Sequence, residues 1–128
     1  MEYLKKFESL FDDEARSEEE SYFRMNPNMF KDLLKDVYDN SAIKISELTE
    51  NFDSLYIRKD EKRNKLNIIL PYKNYNIIIE FIVNNKALVG NVFDNSTYEQ
   101  LYQLDMPFES LHSIIEMFYS LFNFIRKI

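Results

Sequence analysis

The stretch YNIIIEFIVNNKALVGNVF, residues 75–93, decides the fold. Tyr75 to Val83 is almost wholly apolar and β-branched, broken only by Asn76 and Glu80. Such a run reads as a central strand covered on both faces. Asn84-Asn85 follows as a two-residue hairpin turn, because asparagine tolerates positive φ. Ala87 to Phe93 is then the next strand, and the chain's single glycine, Gly90, lies inside it. A glycine there marks a bulge or a close backbone approach.

Working outward, the period of two continues upstream. Leu55 and Ile57 alternate with Tyr56 and Arg58, and after the charged turn Asp60 to Asn64 come Leu66, Ile68 and Leu70. Pro71-Tyr72-Lys73-Asn74 is the turn into the central strand. Residues 42–52 are ambiguous: Ile43 and Ile45 alternate like a strand, whereas Ser46 to Phe52 suit a helical turn. Asn26-Pro27 is a helix start, a capping asparagine followed by proline at the first helical position. Met29, Phe30, Leu33, Leu34, Val37 and Tyr38 then recur at helical spacing, as do Tyr3, Leu4, Phe7, Leu10 and Phe11 in residues 2–16.

Downstream, Ser96-x-x-Glu99 has the form of a capping box and predicts a short helix from Thr97 with Tyr98, Leu101 and Tyr102 inward. Met106-Pro107 restarts the chain into a final helix. Its main stripe is Phe108, Leu111, Ile115, Phe118, Phe122 and Ile125, widened by Ile114, Met117, Leu121, Phe124 and Ile128. The predicted class is α+β: two N-terminal helices, a four-stranded antiparallel β-meander, a short helix, and a long C-terminal helix packed on the sheet. One domain spans 1–128, with 12–25 as an acidic connection.

Composition narrows the chemistry. With one glycine, one histidine and no cysteine in 128 residues, phosphate loops, Cys/His zinc sites and histidine-based triads have few parts to draw on. No cofactor or metal is expected. No signal-peptide run opens the chain and no long charge-free apolar stretch follows, so a cytoplasmic protein without membrane contact is expected. The net charge is −6, and residues 8–20 hold seven acids against Arg16 alone. The remainder is neutral on balance, which suits nucleic acid poorly.

Several side chains are candidates for function. His112 sits beside the final helix's apolar stripe, with Glu109 and Glu116 in reach on that helix, as a general base or a surface hydrogen-bonding histidine. Glu80 faces either an open sheet face or a partly buried pocket where its pKa would rise. The tip Arg58, Lys59, Lys62, Arg63 and Lys65 is the one basic cluster, a phosphate contact or a solvated turn. Asp12, Asp13, Glu14, Glu18, Glu19 and Glu20 form a patch that would steer a basic partner. A helix apolar nearly all round is deeply buried or docks to something, so Met117, Tyr119 and Phe124 are candidate partner contacts.

In size, acidity and α+β layout the chain resembles small inhibitor proteins of bacteria and phages, the immunity and anti-defence proteins. That resemblance implies a non-enzymatic, stoichiometric inhibitor that blocks a basic surface of a partner protein. The chain is also similar in size and charge to type III secretion chaperones, which implies a homodimer binding a partner segment. In those proteins a helix normally divides the strands, unlike the order here. A carboxylate-based enzyme or small-ligand receptor is the third reading. No motif carries either resemblance, so no functional residue transfers.

Overall fold

The computed structural model describes residues 18–128. The elements are α1 (Glu18–Arg24), α2 (Pro27–Asp39), α3 (Ser46–Asn51), a 3-10 turn (Phe52–Ser54), β1 (Tyr56–Asp60), β2 (Lys65–Tyr72), β3 (Tyr75–Ile82), β4 (Ala87–Asp94), β5 (Gln100–Pro107) and α4 (Leu111–Arg126). The class is α+β. The strands form one antiparallel sheet in the order β1-β2-β3-β4-β5. The helix predicted over 2–16 lies outside the described residues.

Five strands replace the expected four because residues 96–102 do not form a helix. Ser96 does not cap: its hydroxyl bonds across to the Asn74 side chain in the β2–β3 turn. Asp94 Oδ1 instead accepts the Ser96 and Thr97 amides at 2.7 and 3.2 Å, an Asx-type turn that competes with helix initiation. The chain then pairs along β4. Tyr102, Leu104 and Met106 are half-buried while Gln103, Asp105 and Pro107 are exposed, the period of a strand. Pro107 ends this edge strand, where its missing N–H is tolerated, and so does not start the last helix. Ser110 caps that helix, its Oγ accepting the His112 amide at 3.2 Å.

The Asn26 cap is as expected, with its side chain accepting the Asn28 amide at 2.8 Å. In the ambiguous stretch, the buried Tyr38 hydroxyl lies 2.7 Å from the Ile45 carbonyl and accepts the Ile45 amide at 2.9 Å. That clasp holds residues 42–45 against α2, and α3 follows directly. The β3–β4 turn differs from the Asn84-Asn85 expectation. Ile82 pairs with Ala87, leaving four residues between the strands, and the positive φ falls on Lys86.

Buried residues of α2, α3 and α4 join one face of the sheet in a single apolar cluster. Ile57, Leu66, Ile68, Leu70, Tyr72, Ile77, Ile79, Phe81, Leu88 and Val92 supply the sheet's share. Aromatic pairs tie the ends: Phe81 stacks on Phe108 at 4.3 Å, and Tyr72 meets Phe122 edge-on at 5.0 Å. At Gly90 side chains of α4 press directly onto the sheet. A Cβ there would collide with Met117 Sδ and stand 3.0 Å from Leu121 Cδ1. The glycine therefore marks close approach, and Met117 is fully buried in the core.

One ion pair bolts α4 to α3. Arg126 Nε and Nη2 donate to Glu47 Oε1 and Oε2 at 2.8 and 2.6 Å, and Nη1 donates to Asn123 at 2.9 Å. The hydrogen bonds from Arg126 hold the Glu47 carboxyl below the usual carboxylate range and raise the Arg126 guanidinium. Because the folded pKa of Glu47 is depressed, its stabilisation is present above the unfolded pKa and is lost as pH falls through the folded one.

Two expectations follow. Gly90→Ala lowers stability by about 1–3 kcal/mol through overpacking, measured by urea unfolding; combined with Met117→Ala, the total loss is smaller than the sum of the single losses. Glu47→Gln costs under about 1 kcal/mol near neutral pH, since the pair is partly solvent-screened, and it reduces the stability lost on acidification from about pH 6 to about pH 3. Equal acid sensitivity in wild type and variant would refute the role given to this pair.

Candidate protein-binding surface

The β4–β5 turn is a small rigid scaffold. Asp94 N donates to Glu99 O at 2.9 Å, and Tyr98 N donates to Asp94 O at 2.8 Å. Asn95 N donates to Asn74 O at 2.9 Å, and the Asn76 side-chain amide donates to Asn95 Oδ1 at 2.6 Å. These bonds lock the turn to its neighbour β2–β3. At its tip Tyr98 has φ +60° and is 85% exposed. A bulky residue in the left-handed region is costly, and an aromatic ring gains nothing by standing in water. The pairing of backbone strain with an exposed ring is a functional signal. The helix expectation had turned this ring inward; the structure turns it out.

Beside Tyr98 is a hollow of about 210 Å³ lined by Asn76, Ile78, Phe93, Asp94, Asn95 and Tyr98. It lies on the sheet face opposite the helices. In register, that face carries the rows Tyr56–Ile69–Ile78–Asn91–Gln103 and Arg58–Asn67–Glu80–Val89–Asp105. Ile69 and Asn91 are buried there although neither belongs to the helix-side cluster. Glu80 is on this face and accepts from Lys65 Nζ at 3.0 Å. It is the partly exposed member of an ion pair.

Charge is segregated across the sheet, a signal that net charge conceals. Residues 54–86 carry seven Lys and Arg against three acids, whereas residues 87–125 carry five acids and no Lys or Arg. The β1–β2 side is basic, and the Tyr98 turn belongs to the acidic β4–β5 side. The basic tip surrounds a hollow of about 400 Å³ lined by Arg58, Lys59, Asp60, Glu61, Lys62 and Asn67. Asn67 Oδ1 is buried there with no hydrogen-bond partner among the described residues, and Lys59 lies over the Phe23 ring at 5.6 Å.

The other candidates are scattered. Asp12, Asp13 and Glu14 lie outside the described residues; Glu18, Glu19 and Glu20 begin α1. Met117 is core and cannot meet a partner from the surface, which corrects its expected role as a partner contact. Tyr119 is 45% exposed. Phe124 is half-buried and stacks on Tyr102 with centroids 4.4 Å apart. His112 is exposed in the first turn of α4, between exposed Glu109 and Glu116. Among the described residues, no group of three or more His, Cys, Asp or Glu is placed to hold a metal ion. Nor is any described helix long and apolar enough to cross a membrane.

No protein-family model, no curated protein and no solved structure matches the chain.

Proposed function

We propose that this chain is a non-enzymatic protein-binding module, a small acidic inhibitor that seats on a basic surface of a partner protein in the cytoplasm. The observation that supports it is Tyr98: an exposed ring held in a strained backbone by a turn cross-braced to its neighbour. Rigid tyrosines bind with little entropy to lose, since their contact geometry is set before the partner arrives. The adjoining hollow receives an apolar side chain, and Asp94 in its wall adds negative charge. The acidic run Asp12, Asp13, Glu14, Glu18, Glu19 and Glu20 adds long-range attraction that speeds encounter with a cationic partner. Tyr119 and Phe124, on the last helix, are secondary contacts in this reading. An immunity or anti-defence role is the biological form the reading takes, since such proteins work by covering a surface of another protein.

The test separates stability from binding. Tyr98→Gly relieves the left-handed strain and raises stability by up to about 1 kcal/mol, after the flexibility glycine adds to the unfolded chain. The same change weakens capture of the partner from native cell extract by about tenfold or more, as loss of an aromatic anchor does. Capture is read by quantitative mass spectrometry against the wild-type chain. A Tyr98→Gly protein that is more stable and captures the same proteins in the same amounts would sink the reading. Neutralising the six acids of the N-terminal run reduces the salt dependence of capture; unchanged salt dependence removes that run from the mechanism.

A further inference from the structure

We propose that the outer edge of β5 receives an extended segment of the partner in which Lys or Arg alternates with apolar residues. Among the described strands, β5 pairs only with β4. An edge strand presents main-chain N–H and C=O groups that an added strand satisfies. The sheet's two edges differ. β1 is five residues long and bears Arg58 and Lys59, with α2 packed against it. Short, cationic edges of that kind resist strand addition. β5 is eight residues long and lies in the span that has no Lys or Arg.

The side chains of β5 specify what fits. Leu104 and Met106 are half-buried and pack against the helix-side cluster, while Gln103 and Asp105 are exposed on the opposite face. A strand laid alongside, about 5 Å away, places its own side chains alternately beside these two rows. On the helix side, apolar residues continue the core past Leu104 and Met106. On the other side, a cation meets Asp105, which stands in the outer-face row beside Val89. An acidic strand would set like charges directly opposite one another. Period and charge together therefore select a basic and apolar alternation. The register shift at Val92/Phe93 and Pro107 bound the regular stretch to Tyr102–Met106.

The inference rests on the protein-binding reading but engages different atoms, the main chain of β5 in place of the Tyr98 ring. The full chain, isotope-labelled for amide detection, is titrated with a capped synthetic peptide of alternating Lys and Val, about ten residues long to match the strand, and separately with its Glu-Val counterpart. The Lys-Val peptide slows exchange of the outward-facing amides within Tyr102–Met106 by about tenfold or more and binds more weakly as salt is added. Asp105→Lys, a surface change that leaves unfolding unaltered, lowers affinity for the Lys-Val peptide by about tenfold. Unmoved β5 amides, equal binding of the Glu-Val peptide, or β5 amides already as protected as those of β3 in the free chain, by its own residues or by a second copy, would each overturn the proposal. If β5 stays unmoved while Tyr98→Gly still abolishes capture, the edge fails alone. If the peptide docks while Tyr98→Gly captures normally, the role given to Tyr98 fails instead.

Discussion

The seat of α4 on Gly90 is the constraint from which the rest of the architecture follows. A sixteen-residue helix with nine buried positions must lie close to the sheet to bury them all. The one residue without a Cβ stands where Met117 and Leu121 descend. With the helix at that depth, Phe118 and Phe122 lie deep in the core, Phe122 meets Tyr72 at one end of the sheet, and Phe124 stacks on Tyr102 at its edge. Deeply interlocked side chains transmit any volume change at this point to the whole layer. A chain that uses glycine once has used it where an added Cβ would collide with the helix above.

The same packing decides what is left for binding. Among the described residues, helices occupy one face, which leaves the opposite face, the β4–β5 turn and the edge of β5 open. None is a deep pocket. The Tyr98 turn is braced by backbone and side-chain bonds to β2–β3, and its acidic neighbours stand well away from the basic β1–β2 tip. In the proposed reading, the exposed Tyr98 ring, the hollow beside it and the nearby acidic residues serve recognition of another macromolecule. Glu47 and Arg126 serve the scaffold: their bidentate pair fixes the end of α4 to α3, at a distance in sequence that only the folded chain closes.

Local signals were read correctly where local physics governs. Asn26 caps and Pro27 starts α2 because both roles depend on one turn of backbone. β1 and β2 follow from a period of two, and β3 follows from a continuous apolar run. Ser96-x-x-Glu99 misled because the same residues satisfy either a helix start or an Asx turn, and pairing along β4 selected the second. The alternation of Tyr102, Leu104 and Met106 with Gln103, Asp105 and Pro107 carried the correct reading but was overshadowed by the capping pattern. Lys86, in place of Asn84 or Asn85, takes the positive φ because strand register, not turn preference, fixed the length of that connection.

By itself, then, the amino-acid order determined the α+β class, the antiparallel meander of its first four strands, the cap of α2 and the wide apolar face of the last helix. These rest on side-chain period and on backbone rules that act over a few residues. Tertiary structure decided between helix and strand for β5, and it alone decided that Met117 is interior, that Tyr98 points outward, and that the basic span 54–86 and the acidic span 87–125 become opposite sides of one sheet. Each of those depends on which surfaces meet. A helix pressed onto a glycine and a turn braced by Asn74 are contacts between residues more than twenty positions apart, which no local window contains.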